Sequence, residues 1–450
     1  MPISRDDFVN YISQKICNNE FSVFFGAGLS TPLGIPTWKS LLEPLAQRLH
    51  LDIEKQHDYF ALSQYYENMY GKPDLRKYIG NSLFSFKTEN DVLEKILKLN
   101  LRTIWTTNFD TSIERILQKN FIRHQVINSD RCLANITSSD ATIVYKLNGD
   151  CNDLEHIVIT TEDWETYEET HPTMMTFLKK ELVSNTFLFY GYSFQDNLIK
   201  STLSSIKRFV GDLCNTHFSI QERKDDPEFE YKIFDLEQRY HVKTLLVNSY
   251  SDVSGIFDDI FERVQANNVF ISGRLGDIAP EIENDACNLC RQLSVGLLDA
   301  GYNICTGMGR KIGYFVAGPS IQHLLENGYQ HIERRLLIRP FDDTMSEKKR
   351  TAYREKLIGD NRVAIFIYGH SSYNGRSKGV WEEYQIAKKL GKVILPIGAT
   401  GFESRLIWQD VKAHLTSYPY LETSIEDLLT ECNAQKITTL VLKLLKLTTF

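Results

Sequence analysis

Residues 23–30, VFFGAGLS, decide the fold that we predict for this chain. The apolar run at 23–25 is typical of a strand that is buried on both faces. Gly26 and Gly28 let the backbone turn sharply at the end of this strand, where a side chain would block a close ligand. Amides that such a turn exposes ahead of a helix form a site for an anion. A tight turn without a ligand uses the same residues, so the loop alone leaves both interpretations open.

Three further apolar runs end in polar residues, at 106–110 (TTNFD), 148–150 (NGD) and 191–193 (GYS). In an open parallel sheet the strand ends converge on one crevice, so we expect these segments to lie near the GAG loop. The alternation of apolar runs with helical periodicity predicts an α/β fold, with a mostly parallel sheet flanked by helices.

The same pattern restarts after a polar connection at residues 265–268, with VFISGRLG at 269–276. We therefore place a domain boundary near residue 266. The prediction is two α/β domains, residues 1–265 and residues 267–450, each built on a mostly parallel sheet. The plan of the halves is analogous, although no sequence repeat relates them.

The composition narrows the class of protein. A chain of 450 residues with 42% hydrophobic residues is long enough for two or three domains with sizeable cores. The net charge of -7 argues against general binding of nucleic acid. No apolar run has the length of a membrane-spanning helix, and the acidic N-terminus lacks a signal segment, so we expect a cytoplasmic protein. Among the eight cysteines only Cys287 and Cys290 have CxxC spacing, which favours packed thiols, and no metal is expected.

Four fragments together resemble a sirtuin domain over roughly residues 1–265, and they occur in the sirtuin order. They are GAG-x-S at 26–30, TTNFD at 106–110, KLNGD at 146–150 and G-x-S at 191–193. The second half resembles the SLOG family of nucleotide-ligand sensors, in VFISG at 269–273, the glycine loop at 306–309 and the glutamate of GVWEEY. A sirtuin domain followed by a SLOG domain resembles the effectors of the bacterial Thoeris anti-phage system.

The resemblance implies hydrolysis of NAD+, the substrate, to ADP-ribose and nicotinamide without a metal. It also implies an activator, a cyclic ADP-ribose isomer that a partner enzyme with a TIR domain makes during infection, and loss of NAD+ that stops the infected cell. Homo-oligomers, as tetramers or filaments, are implied as well. The zinc-ribbon cysteines of deacylase sirtuins are missing here, which weakens the alternative of an NAD-dependent protein deacylase.

The resemblance also assigns roles in the first domain. Asn108 would position the attacking water, and Asp110 would bind a ribose hydroxyl or hold the loop; capping the helix that begins near Thr111 is an equal alternative for Asp110. The residues assigned to NAD+ binding are Gly26, Ala27, Gly28, Ser30, Thr107, Asp110, Gly191 and Ser193.

Asn148 occupies the position of the sirtuin general base, a histidine directly before a glycine. An amide has no titratable nitrogen and cannot accept a proton near neutral pH. Three explanations are open. Asn148 is a natural residue and the other groups of the site suffice for catalysis, it marks a pseudo-enzyme, or it is an engineered replacement that traps NAD+. The otherwise intact motifs favour the third explanation. We predict a chain that binds NAD+ but turns it over poorly, with a non-catalytic nucleotide sensor as the remaining alternative.

In the second domain, the resemblance implies that Arg354 and Glu383 are the main candidates for activator binding, the first for a phosphate and the second for a ribose hydroxyl. Their alternative is a solvated helix face, since both stand in charged helical segments. Gly273, Gly307 and Gly309 would allow close approach of the ligand, although turns need glycine too. Residues 398–400 could close the pocket, and residues 339–341 could line it or end a strand.

Overall fold

The structure, a computed structural model, describes residues 2–56, 58–83, 90–99, 101–134, 141–194, 197–342, 344–371 and 375–448. The chain divides into two compact units, Met1–Val264 and Gln265–Phe450. Each unit has a parallel sheet with helices packed on it, which confirms the predicted α/β class. The units are described separately below.

The described residues of the first unit form a seven-stranded parallel sheet in the order β3-β4-β2-β1-β5-β6-β7. Its strands are β1 (Phe21–Phe25), β2 (Thr103–Thr106), β3 (His124–Ile127), β4 (Thr142–Lys146), β5 (Thr186–Tyr190), β6 (His217–Glu222) and β7 (Val242–Val247). In this register Phe25 pairs with Thr106 on one side and with Tyr190 on the other. The loops after β1, β2 and β5 therefore leave the same edge of the sheet, and β4 adds its own end beside β2.

Helices cover both faces of this sheet. They are α1 (Arg5–Cys17), α2 (Trp38–Arg48), α3 (Tyr59–Tyr70), α4 (Lys72–Ser82), α5 (Asp91–Leu97), α6 (Ser112–Lys119), α7 (Asp130–Leu133), α8 (Thr161–Glu165), α9 (Tyr167–Thr170), α10 (Pro172–Ser184), α11 (Asn197–Val210), α12 (Pro227–Tyr240) and α13 (Val253–Gln265). Ser4 caps α1 by accepting a hydrogen bond from the Asp7 amide.

The apolar side chains of β1 alternate between two hydrophobic clusters, as the period of a strand requires. Val23 and Phe25 belong to one cluster, and Phe24 belongs to the other. A third cluster joins α2, α3 and α4 to Phe109 and Ile157, which follow β2 and β4. The helical layer therefore packs directly against the loops at the carboxyl edge of the sheet.

The described residues of the second unit form a five-stranded parallel sheet in the order β10-β9-β8-β11-β12. Its strands are β8 (Asn268–Arg274), β9 (Asn303–Thr306), β10 (Leu336–Ile338), β11 (Val363–Tyr368) and β12 (Val393–Pro396). Its helices are α14 (Pro280–Asp299), α15 (Ile312–Glu326), α16 (Glu347–Gly359), α17 (Lys378–Lys389), α18 (Phe402–Ala413), α19 (Asp427–Thr430) and α20 (Ala434–Leu447). Cys287 and Cys290 lie on α14, where burial raises the pKa of the Cys290 thiol.

None of the helices within the described ranges combines the length and apolar character that a membrane crossing requires. Among the same residues, no three or more His, Cys, Asp and Glu side chains converge as a bound metal ion would require.

Candidate functional site

The GAG loop of the first unit is held by its own backbone amides. The amide of Gly26 donates to the carbonyl of Tyr190 at 3.0 Å, and the amide of Gly28 donates to the carbonyl of Gly191 at 2.9 Å. The next two amides, of residues 29 and 30, donate to carbonyls of the loop itself. The first two bonds fix the loop against the end of β5, and the other two close the loop on itself. These four amides are therefore engaged within the protein, and the anion site that the sequence suggests for this turn stays a prediction.

The glycines of this loop are required by contact between backbones. A Cβ atom on Gly26 would lie 2.5 Å from the carbonyl oxygen of Gly191, and one on Gly28 would lie 2.9 Å from the Gly191 Cα. Gly191 itself has a φ of +67°, and a Cβ there would meet the Leu29 amide nitrogen. The GAG and G-x-S motifs are thus two halves of one packed contact.

Asn108 joins the loop after β2 to the GAG loop. Its Nδ2 donates to the Gly26 carbonyl at 3.1 Å and to the Ser30 hydroxyl at 3.0 Å. The Ser30 hydroxyl donates in turn to Oδ2 of Asp110 at 2.9 Å, and Oδ1 of Asp110 accepts from the Ser112 amide at 2.9 Å. All three side chains of this network are buried: Asn108 is 8% exposed, Ser30 2% and Asp110 4%.

The network limits what each member can offer a ligand. Both hydrogens of the Asn108 Nδ2 are engaged, so Oδ1 is the atom of this side chain that can accept from a water or hydroxyl. Asp110 both holds the loop, through Ser30, and caps the start of α6, through Ser112. Contact of Asp110 with a ribose hydroxyl stays a prediction.

Asn148 follows β4 at the same edge of the sheet and is 2% exposed. The amide of Leu147 donates to the Thr106 carbonyl at 2.8 Å, which ties the end of β4 to the end of β2. The Oδ1 atom of Asn148 is buried and has no hydrogen-bond partner among the residues that the structure describes. A buried acceptor without a partner costs about 1–3 kcal/mol, so this atom is suited to a group that arrives from outside the chain.

The remaining predicted NAD+ residues lie on the same loops. Ala27 and Thr107 are half-buried, and Ser193 is exposed beyond the end of β5. The amide of Thr107 donates to the Phe25 carbonyl at 3.3 Å. The structure thus brings the GAG loop and Asn108 into direct contact and sets the Asn148 loop beside β2. The roles assigned to these side chains stay predictions.

In the second unit, a cavity of about 440 Å³ lies at the ends of β8 and β9. All five residues predicted for activator binding line it: Gly273, Gly307, Gly309, Arg354 and Glu383. Pro340 and Phe341 line it as well, which is one of the two alternatives that the sequence left open for residues 339–341. Sequence reasoning missed Ser272, Arg274, Arg310 and Arg350 in the same lining. Residues 398–400 are not part of this lining.

Arg354 and Glu383 form the polar centre of this cavity. Arg354 pairs with Glu382 at 2.6 Å and with Glu383 at 3.4 Å, and its guanidinium lies 4.9 Å from the centre of the Phe341 ring. Glu383 is 8% exposed and accepts from the Ser272 hydroxyl at 2.6 Å. Burial raises the pKa of Glu383, although Ser272 and Arg354 oppose the shift. The interpretation of these two residues as a solvated helix face is therefore wrong.

The glycines of the cavity also serve backbone packing. A Cβ on Gly309 would collide with the Gly273 carbonyl oxygen, and one on Gly307 would lie 2.7 Å from the Phe341 ring. Between them Met308 has a φ of +56°, a left-handed conformation that costs energy for a residue with a side chain. The loop after β9 is thus a strained segment folded tightly against the end of β8.

Two family models match successive parts of the chain. Residues 102–245 match the model of the SIR2-like domain, and residues 252–448 match that of the Sir2- and TIR-associating SLOG family.

Three relatives show how far the similarity extends. The chain is 30% identical to the NAD(+) hydrolase ThsA of Bacillus cereus (strain MSX-D12), over 96% of this chain and 94% of that protein. It is 29% identical to the NAD(+) hydrolase ThsA of Cytobacillus dafuensis, over 93% and 90%. Similarity to the Defense-associated sirtuin 2 of Bacillus subtilis is 25% identity, over 50% of this chain and 23% of that protein. The two parallel sheets and the hydrogen-bond network at the strand ends agree with the sequence similarity, which extends over nearly the full length of the chain. The chain belongs to the family of the NAD(+) hydrolase ThsA.

Proposed function

We propose that this chain is an NAD+ glycohydrolase of bacterial anti-phage defence. It cleaves NAD+ to ADP-ribose and nicotinamide when a cyclic ADP-ribose isomer binds the second domain. The observation that carries the proposal is the buried network of Asn108, Ser30 and Asp110, which joins two strand ends in a chain of the ThsA family. The relatives' name, NAD(+) hydrolase, supports the reaction class.

The reaction requires an electrophilic ribose and a positioned water. Cleavage of the nicotinamide–ribose bond passes through an oxocarbenium-like state, as in other glycosyl transfers. The Oδ1 atom of Asn108 accepts a hydrogen bond from the attacking water, since its Nδ2 hydrogens are held by Gly26 and Ser30. The substrate itself lies along the loops that carry Gly26, Ala27, Gly28, Ser30, Thr107, Asp110, Gly191 and Ser193.

Asn148 limits the rate in this proposal. The residue cannot take a proton from the water or from a ribose hydroxyl, and loss of a general base costs roughly 10²–10⁴ in rate. Its buried Oδ1 atom, which lacks a protein partner, accepts a hydroxyl of bound NAD+ instead. The chain therefore binds NAD+ and hydrolyses it slowly, and Asn148→His restores the rate.

The cavity of the second domain is the activator site in this proposal. Its volume of about 440 Å³ lies within the range of about 300–1,000 Å³ typical of small-ligand pockets. Arg350 and Arg354 line it, and guanidinium groups suit the phosphates of a cyclic ADP-ribose isomer. The ion pairs of Arg354 with Glu382 and Glu383 hold the guanidinium in place before the ligand arrives. The name of the matched family, which associates it with TIR domains, supports a TIR-domain enzyme as the source of the activator.

A nicotinamide-release assay tests the proposal. This chain and its Asn148→His variant are incubated with NAD+, with and without cyclic ADP-ribose isomers, and in a further arm with an acyl-lysine peptide. Release that needs an isomer but no peptide supports the proposal. Release that needs the peptide indicates a protein deacylase. If neither form releases nicotinamide although both bind NAD+, the chain is a non-catalytic nucleotide sensor. This is the second candidate function, because Asn148 replaces the expected base.

The proposal extends to assembly and location. We expect a cytoplasmic protein, because the activator and NAD+ are both intracellular small molecules in this scheme, and the family resemblance suggests a homo-oligomer, a tetramer or a filament. Mass photometry of the full chain, with and without an isomer, measures the assembly. A monomer under both conditions contradicts this part.

A further inference from the structure

A buried lysine lies beneath the strand ends that carry Asn108 and Asn148. Lys146 is the last residue of β4, and its side chain is fully buried. Its Nζ donates to the Asp110 carbonyl at 2.6 Å and to the Phe109 carbonyl at 3.3 Å. The same atom donates to Oδ2 of Asp150 at 2.6 Å and lies 2.8 Å from Oε1 of Glu114.

These partners belong to three separate segments. Phe109 and Asp110 are in the loop after β2, Asp150 is in the loop after β4, and Glu114 is on α6. A second bond crosses between the two loops, from the amide of Cys151 to the Phe109 carbonyl at 2.9 Å. A single ammonium group therefore connects the loop that carries Asn108 to the loop that carries Asn148.

Stability alone does not explain a charge in this place. Burying an ammonium group removes its hydration, and a buried ion pair can often be replaced by apolar residues without loss of stability. The neighbours of Lys146 on β4 are apolar and packed, among them Val144 and Tyr145. An apolar side chain at 146 could not donate to the Phe109 and Asp110 carbonyls, so the ammonium group is what ties the β2 loop to the end of β4 at this point.

The lysine is charged in this environment. Burial by itself lowers the pKa of Lys146, but Glu114 and Asp150 outweigh it and raise the pKa above its usual value. Burial also raises the pKa of Glu114, against the opposing effect of Lys146. The ammonium thus carries its full set of three donors, and each of them has an acceptor in the cluster.

We propose that Lys146 is a positioning residue for the NAD+ reaction, whose ammonium group sets the position of the Asn108 loop relative to the Asn148 loop. Lys146 is not a catalytic residue, because it is enclosed by protein and acts through the backbone of residues 109 and 110. The proposal rests on the proposed function, since the geometry that it sets is that of the NAD+ site.

The test removes the ammonium without leaving two carboxylates unpaired. The triple variant Lys146→Met, Glu114→Gln, Asp150→Asn is made in the Asn148→His background, and activator-stimulated nicotinamide release is measured. A displacement of about 1 Å at a reacting group can cost on the order of 10² in rate. We therefore expect kcat to fall by roughly 10²-fold, with a smaller rise in KM, while the chain stays folded by circular dichroism.

A matched control separates this effect from general destabilisation. Leu182→Ala opens a cavity in a hydrophobic cluster of the same unit, where Leu182 is 1% exposed on α10. We expect it to lower the melting temperature but to leave kcat and KM within about twofold of the parent. Relative to the exchange of β1, amide hydrogen exchange of residues 107–112 and 147–152 is expected to become faster in the triple variant and to stay unchanged in Leu182→Ala.

The outcomes distinguish this proposal from the proposed function. Parent-like kcat and exchange in the triple variant overturn the role of Lys146. If the Asn148→His parent neither binds NAD+ nor releases nicotinamide, the proposed function fails, and exchange alone then decides whether Lys146 holds the two loops. If the triple variant does not fold, Asp150→Asn keeps the shape and removes one charged contact. A fall of roughly three- to tenfold in kcat with faster exchange at 147–152 then supports the proposal, and no change overturns it.

Discussion

Replacing Gly191 by alanine tests whether the GAG loop is held by backbone contact. The substitution adds a Cβ atom that would lie 2.9 Å from the Gly28 carbonyl carbon and nearer still to the Leu29 amide nitrogen. The residue also has a φ of +67°, which costs alanine about 1–2 kcal/mol. Overpacking against rigid backbone adds about 1–3 kcal/mol. We therefore expect Gly191→Ala to destabilise the first unit by about 2–5 kcal/mol.

The chain contains a matched control for this prediction. Gly211 has a φ of +69°, and a Cβ there would meet no atom within 4 Å. Gly211→Ala therefore carries the conformational cost alone, about 1–2 kcal/mol. The difference between the two variants isolates the contact between Gly191 and the GAG loop.

Hydrogen exchange of β1 measures the free energy of opening of the first unit by itself, because core strands exchange through global unfolding of their domain. Titration with NAD+ supplies the second readout, since a loop displaced at 26–30 should also bind NAD+ more weakly. Equal losses of opening free energy in Gly191→Ala and Gly211→Ala would refute the packing argument, as would unchanged NAD+ affinity in a clearly destabilised Gly191→Ala.

Three further predictions concern single side chains. Ser30→Ala leaves Oδ2 of Asp110 and one hydrogen of Asn108 without a partner, at about 1–3 kcal/mol each, so calorimetry should show at least tenfold weaker NAD+ binding. Arg354→Met removes the fixed guanidinium from the second cavity, and titration with a cyclic ADP-ribose isomer should show roughly 10–100-fold weaker binding. The folded chain holds the proton of Glu383 more tightly than the unfolded chain does, so its stabilising contribution is present below pH about 4.5 and is lost as pH rises through the raised pKa. Glu383→Gln should therefore flatten the fall in stability of the second unit above that pH, and unfolding in urea across pH 4–7 that keeps the parental slope would contradict the assignment.

The sheets were largely predictable because buried parallel strands are continuous apolar runs. The run at 23–25 became the centre of the first sheet, and the run at 269–273 became the centre of the second. The strand β3 was missed, since His124–Ile127 lies at the sheet edge, is mostly half-buried and begins with two polar residues. The polar segment at 106–110 lies almost wholly outside the sheet, because the Thr106 hydroxyl accepts from the Asn108 amide and turns the chain away after β2.

The sequence predicts many of the residues that lie in the candidate sites, but it does not predict which other residues they contact. The sequence selects glycine at 26, 28 and 191, but a residue without a Cβ serves a close ligand and a close backbone equally well. Only the fold shows that the neighbour of Gly28 is Gly191. In the same way, the environment of Glu383 comes from Ser272 on β8, a residue far away in sequence, so local charge pattern could not reveal its burial.

In both units, glycines allow two stretches of backbone to pack closely together at the end of the first strand. A loop that must stay rigid without a ligand satisfies its amides and glycine contacts internally, as the GAG loop does against Gly191 and as Gly309 does against Gly273. Such a loop has little backbone left to offer, so recognition of a ligand falls to side chains that it holds in place. In the first unit the proposed function gives this part to Asn108, whose Nδ2 is engaged and whose Oδ1 is the remaining acceptor. If the proposed function holds, a packing defect at Gly191 should displace Asn108 through Gly26 and Ser30, and it should therefore weaken NAD+ binding.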